Sequence, residues 1–534
     1  VDQQTKNQLK GVNKMYKKMT RAIALLLMFL LLISACSTGT GSQDGSEKIL
    51  RIGLDAGEPT SLEPARQISN AKRTMQMAMY RGLMLYNIDG SLGFGLAESY
   101  DLSTDNLTFT FRLRDAKFHD GSQVTAEDVR FTFERKNDPA VAATFAAELS
   151  VIESIATPDD RTVVITLARP FIPFLEYLAM PEMVIVSKAY TESVGGDLSE
   201  NVMGAGPFKL VQWNRGEKLI VESFDGYYNA ANVNLDGIEF FFFSDDDARV
   251  NALLAGDTDI QMLIPWRDHT SIENTPGLTL HSGTGPYMGV MFNTTFGPFQ
   301  DARVRRAISF AVDRQAIINT AFSGRGIELF GFTIPEGYLG YSERLANFFS
   351  HDPEMARTLL AEAGYPDGFE VTLLTSAPIQ FHMDTAIAIQ SELAKIGITV
   401  TLDAPDWATR MERVLAEDYE MVVTGTVGDI ADPDWLANYY YSHMQNVNKP
   451  AGFGDPEVDR LFALGAQEPN RAVRQQIYEE VSERLLELSP AAFFMWRVNG
   501  FGVSDRVIGF ELPRGFLSHS QMGLALETID LRVD

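Results

Sequence analysis

The chain has 534 residues, more than one hydrophobic core usually serves, and its 45% hydrophobic and 22% charged content is that of an ordinary globular protein. A formal net charge of −26 argues against nucleic-acid partners, and a single cysteine, Cys36, excludes an intramolecular disulfide and a cysteine-rich metal site. The first 35 residues carry a net +5, which leaves −31 on the remainder.

Lys17, Lys18 and Arg21 form a basic region ahead of an apolar run at 22–33, short of the roughly 20 residues that a membrane-spanning helix needs. Leu32-Ile33-Ser34-Ala35-Cys36 then resembles a bacterial lipobox. The resemblance implies that 1–35 is a signal peptide, that Cys36 becomes a lipidated N-terminus, and that the small polar stretch 36–48 is a flexible tether. An ordinary signal peptide with an unrelated thiol is the alternative. Initiation at Met15 or Met19 would give a signal of conventional length.

Residues 49–54 read as a short strand and 58–64 (EPTSLEP) as a turn. The spacing of 75–85 (MQMAMYRGLML) predicts a helix whose methionines pack in a core. At 96–135, strand, turn and helix follow one another. Leu107, Phe109, Phe111 and Leu113 alternate with Thr108, Thr110, Arg112 and Arg114, the two-residue period of a half-buried strand. His119-Asp120-Gly121 breaks it. Thr125, with Asp128 three residues on, starts a helix that carries Val129 and Phe133 on its apolar stripe. Residues 162–167 alternate again and suit pairing with that strand. The stretch 201–213 (NVMGAGPFKLVQW) is a glycine–proline turn entering a strand; with no complete G-x-G-x-x-G or G-K-S/T in the chain, a structural turn is expected there. Residues 235–243 (LDGIEFFFF) read as a buried strand, and 245–254 as a helix with three aspartates at its positive end.

Past a block at 285–293 (GPYMGVMFN), helices are expected at 301–310 and 312–321, with a capped helix inside 351–370. Residues 371–375, 384–396 and 398–402 form strand, helix and strand, which implies parallel pairing. A strand at 420–426 is followed by Gly428-Asp429-Ile430-Ala431-Asp432-Pro433-Asp434-Trp435, and ligands in open α/β sheets bind at such carboxyl ends. Asp455 caps a helical region reaching 487, with Pro456 in its first turn, and 491–496 is an apolar strand.

The order of these blocks resembles the family 5 extracellular solute-binding proteins, the peptide- and nickel-binding components of ABC importers. The resemblance is carried by 96–135 (LAESYDLSTDNLTFTFRLRDAKFHDGSQVTAEDVRFTFER), by 201–213, by 299–321 and by 364–368 (GYPDG), and it runs from 49 to 532. It implies an α/β, two-lobed periplasmic-binding-protein-like fold (type II, cluster C) with an additional domain. Lobe I would be assembled from 49–79, 205–284 and 492–534, the additional domain from 80–204, and lobe II from 285–491. Also implied are hinge closure around a solute and delivery to ABC permease subunits with their cytoplasmic ATPase. The protein would be a monomer held outside the cytoplasm on the bacterial cell membrane by its lipid, in the periplasm where the envelope has two membranes. It would need no cofactor and bind no nucleic acid. An oligopeptide is the leading ligand, with a nickel chelate or an oligosaccharide as alternatives.

By the same resemblance, Asp429 in 426–434 (TVGDIADPD) would pair with a ligand's α-amino group, against the competing reading of a turn aspartate. Two departures stand out. Thr426 replaces the family's tryptophan, and 376–385 (SAPIQFHMDT) lacks the arginine that dipeptide binders use for the carboxylate. Trp266, Tyr287, Trp407 and Trp435 are candidate stacking surfaces, with core packing as the alternative for each. Arg410 is a candidate for an anionic group, against the plainer reading of an exposed helix arginine. No catalytic or metal residue is expected: G-x-S-x-G and H-E-x-x-H do not occur, the seven histidines are scattered, and only His382 with Asp384 makes a weak metal pair. Asp429, Asp432 and Asp434 leave a secreted hydrolase as a competing function, and a lipoprotein adhesin or chaperone is another. A saturable ligand recovered unchanged separates solute binding from both.

Overall fold

The computed structural model describes residues 47–532 apart from 56, 67–68, 244 and 516, so the expected signal peptide, Cys36 and nearly all of the tether lie outside the described residues. In chain order, β1 (Ile49–Gly53) precedes helix α1 (Asn70–Met79), and a hairpin of β2 (Met84–Tyr86) and β3 (Leu92–Phe94) leads to β4 (Ala97–Leu102) and β5 (Thr108–Leu113). Helix α2 (Ala126–Asn137) is followed by β6 (Ile152–Asp159), β7 (Thr162–Leu167), β8 (Phe208–Asn214), β9 (Lys218–Ser223), β10 (Gly237–Phe241), β11 (Ile260–Ile264) and β12 (Leu278–Phe292). The second half holds β13 (Gly326–Glu328), β14 (Glu370–Leu374), α3 (Gln380–Ala394), β15 (Thr399–Asp403), α4 (Trp407–Leu415), β16 (Met421–Thr424) and β17 (Ala491–Ser504).

An eleven-stranded sheet runs β15-β14-β16-β12-β17-β11-β1-β10-β9-β8, with β13 also on β17. In one half β14 is parallel to β15 and β16, as the strand–helix–strand reading of 371–402 requires; in the other, β1 is parallel to β10 and β11. Only β12 and β17 run through both halves, antiparallel to each other. Their pairing slips where Thr284 faces Val498 and Tyr287 faces Trp496, so that Gly285 and Pro286 oppose Arg497 alone. Two residues against one make a bulge, which bends a strand and increases its twist. Each half has its own apolar core, Leu50, Ile52, Phe240 and Met262 on the β1 side and Val290, Leu373, Val423 and Phe494 on the β14 side. The result is two lobes joined by two strands.

A separate antiparallel sheet, β4-β5-β7-β6, carries the 96–135 stretch. Phe109, Phe111 and Leu113 turn inward, join Val129 and Phe133 of α2, and β5 pairs with β7 as the alternation predicts. The Asp128 carboxylate accepts the Thr125 N–H at 2.9 Å, so the expected capping box forms.

The largest differences from the expected boundaries lie in α1 and β17. The helix expected at 75–85 begins at Asn70, where Ser69 Oγ accepts the Lys72 N–H at 3.2 Å, and stops at Met79, whose carbonyl accepts the Gly206 N–H at 3.0 Å. Met75 and Met79 are core, whereas Met77 lines a cavity. The 204–207 turn is structural, because a Cβ on Gly204 would lie 1.9 Å from the Met79 carbonyl oxygen. The strand expected at 491–496 continues to Ser504, since β11 and the first half of β12 supply partners for its extension.

Candidate functional site

The bulge puts Arg497 between the lobes. Its Nε donates to the Pro286 carbonyl at 3.3 Å, and its guanidinium lies 5.1 Å from the ring centre of Phe381, in the first turn of α3. Phe381 meets Trp266 at 5.4 Å and His382 at 4.8 Å, both edge-on, and His382 meets Trp407 edge-on at 5.8 Å. Asp406 caps α4 by accepting the Thr409 N–H at 3.0 Å, which sets Trp407 and Arg410 on the first turn. Arg410 lies 4.8 Å from the Trp407 ring centre and donates to the Val423 carbonyl at 2.5 Å.

The charges here are unbalanced. Burial lowers Arg497 to about 9 with no acid countering it, and burial lowers Arg410 to about 10. Among the described residues no carboxylate forms an ion pair with either guanidinium. Arg497 is nonetheless only half-buried. Burial, and then the neighbouring arginines, lower both His382 and His519 to about 3, so both rings are neutral at ordinary pH. His519 Nδ1 accepts from Asn499 Nδ2 at 2.7 Å, two residues along β17 from Arg497.

Asp429 sits at the carboxyl end of β16, as expected, but its Oδ1 accepts from Arg73 Nη2 at 3.1 Å. Arg73 projects from α1 and also donates through Nε to Glu182 Oε1 at 2.6 Å. Burial would lower Arg73, but Glu182 and Asp429 outweigh it and hold the guanidinium raised; burial keeps Asp429 raised against the pull of Arg73.

The structure thus brings Trp266, Trp407 and Arg410 into one aromatic and cationic cluster, whereas Asp429 pairs with Arg73. Tyr287 is buried in the wall, edge-on to Phe493 at 5.1 Å and to Trp496 at 6.2 Å, and its N–H donates to the Thr426 carbonyl at 3.0 Å. Trp435 is buried too, its Nε1 lying 2.6 Å from where a Cβ on Gly428 would stand. Arg410 corrects the plainer expectation of an exposed helix arginine: it is 5% exposed, because the Val423 carbonyl and the Trp407 face hold it inward. The weak metal pair diverges, His382 turning to Trp407 while Asp384 accepts from Gln380 Nε2 at 2.8 Å.

Sequence reasoning misses Arg73, Phe381, Arg497 and His519. Its one usable signal is the arginine lacking from 376–385, a stretch that β17 supplies with Arg497 from far along the chain. A cavity of about 730 Å³ lies elsewhere, beyond the end of α1 at Met77, Arg81, Met84 and Phe94, and includes none of the predicted residues.

Comparison with known proteins places this architecture. The sequence profile of the bacterial extracellular solute-binding proteins, family 5 Middle, matches residues 92–448. The glutathione-binding protein GsiB of Pectobacterium atrosepticum is 30% identical over 461 residues, 84% of this chain and 89% of that protein. GsiB of Escherichia coli K12 is 28% identical over 444 residues, 81% of this chain and 86% of its own. The solved structure of the binding protein AgaA from A. tumefacien R10, in complex with agropinic acid, is 46% identical with a TM-score of 0.81, covering 91% of this chain and 99% of that one. DppA from Helicobacter pylori in complex with the peptide STSA, at 24% identity and a TM-score of 0.78 over 91% of this chain and 98% of its own, shares the fold.

Proposed function

This chain belongs to the bacterial extracellular solute-binding proteins, family 5, and we propose that it captures, for an ABC importer, a small carboxylate-bearing solute built on an amino-acid skeleton. A short peptide and an amino-acid conjugate both fit that class. The observation that carries the reading is Arg497, a half-buried guanidinium without a carboxylate, placed where the two lobes meet. Such a cation gains most from an anion that arrives with its own hydrogen-bond acceptors. Arg410 adds a second uncompensated charge, while Trp266, Phe381 and Trp407 offer ring faces to the apolar part of the solute. Glutathione and agropinic acid, in the names of the relatives, are both acids.

Capture proceeds by closure of the lobes about β12 and β17, with the solute stabilising the closed form through contacts it makes only there. The bulge, at 285–286 in β12 and Arg497 in β17, supports a lobe border at 284/285. The additional domain at 80–204, the lipid on Cys36, a monomeric state and docking on a permease complete the reading.

Calorimetry with N-acetyl-Ala-Glu and with its amide, both side chain and terminus neutralised, tests the anion claim. The acid is expected to bind at least about tenfold more tightly, and equal affinities would sink the reading. Affinity should also be level from about pH 6 to about pH 8, because the guanidinium stays protonated and both rings of the cluster stay neutral across that range. An inflection near the usual histidine range would instead implicate a ring that the structure holds neutral.

A further inference from the structure

We propose that Arg73 determines specificity: its guanidinium takes the place of a ligand's ammonium on Asp429 and latches the lobes, so the cleft selects carboxylates whose amine is blocked. The inference rests on the carboxylate reading of the cleft and adds the rejection of the free amine.

Arg73 cannot easily leave. Its side chain is 5% exposed and that of Glu182 3%, while that of Asp429 is 30% exposed, so the cation is buried and the acid is partly open to solvent. Swinging Arg73 away would strand Glu182, whose Oε2 already lacks a hydrogen-bond partner among the described residues. An unpaired buried charge costs far more than a buried pair. Asp429 is therefore satisfied before any solute arrives. An entering ammonium would have to displace Arg73 from Asp429 and leave Glu182 without its ion-pair partner. An acylated or lactam nitrogen carries no charge and meets neither penalty.

The pair also crosses between the lobes. Arg73 stands on α1, whose Met75, Ala78 and Met79 belong to the β1-side core, and Asp429 follows β16 of the other half. Two residues on, the Ala431 N–H donates to Tyr86 Oη at 3.1 Å, which ties the same loop to β2 and not to the β1-side core. The latch closes on Asp429 from the lobe opposite.

The chemical class selected is an N-acylated amino acid, a lactam or an N-blocked short peptide with a free carboxylate. Calorimetry with Ala-Glu and N-acetyl-Ala-Glu tests it. The wild-type protein is expected to prefer the acetylated form by about tenfold or more, and Arg73→Met combined with Glu182→Gln, which frees Asp429 without stranding Glu182, to lose or reverse that preference. Equal or tighter binding of Ala-Glu by the wild type overturns the proposal, as does an unchanged ratio in a variant that still melts cooperatively. Failure of both probes to bind the wild type counts against the carboxylate reading and leaves the latch to a ligand-free measurement. For that, energy transfer between dyes on the two lobes should report a more open distribution in the double variant than in the wild type. An identical distribution overturns the latch.

Discussion

Arg497→Met is expected to weaken binding of a carboxylate solute by about thirtyfold or more, the equivalent of about 2 to 5 kcal/mol for removing one side of a buried charge-assisted contact. The same substitution should leave the melting temperature unchanged or raise it. In the ligand-free fold the guanidinium is half-buried with no acid paired to it, so replacing it with an apolar chain of similar length removes no ion pair from the fold. Loss of affinity with retained stability separates a ligand contact from a structural one. Arg497→Lys should recover part of the affinity, since lysine keeps the charge but not the planar fork. An unchanged dissociation constant in Arg497→Met would remove the anchor from this residue.

Asp432→Ala is expected to be among the most damaging single changes in the chain. Arg474 donates to Asp432 through both terminal nitrogens, at 2.5 and 2.8 Å, with its side chain 5% and that of Asp432 8% exposed. Truncating one partner of a buried pair strands the other, at a cost of about 3–5 kcal/mol. Arg474 also donates to the Gly465 carbonyl at 2.7 Å, and Tyr478 Oη donates to Asp434 at 3.1 Å, so the stranded cation would sit in a knot that cannot easily rearrange. This knot holds the loop that presents Asp429, which means affinity should fall with stability. Denaturant titration reads the loss, and the double change Asp432→Ala with Arg474→Met should be milder than the single one because no charge is left unpaired. A single variant within about 1 kcal/mol of the wild type would show that water reaches Arg474.

How far the site was legible depended on the range of the interactions that build it. Asp429 is placed correctly at a strand end by the run of apolar residues at 420–426 and the acidic loop after it, both local patterns. Its partner was not legible, because Arg73 reaches it only through the packing of α1 against the sheet. Trp407 and Arg410 share a capped first turn, so their proximity follows from Asp406 and the helical repeat. That Arg410 points inward follows instead from the Val423 carbonyl, which another strand supplies.

By itself the sequence determined the elements and their family. Alternation at 107–113 makes a half-buried strand, Thr125 and Asp128 close a helix start, and 371–402 forms a parallel strand–helix–strand unit, because periods of two and of 3.6 and the chemistry of caps act over a few residues. Tertiary structure alone decided which charges meet. The order of strands in the sheet brings β17 past the start of α3 and sets Arg497 over Phe381, and the docking of α1 sets Arg73 on Asp429. No local pattern encodes those pairings, since whether a buried charge is matched or left open depends on residues hundreds of positions away.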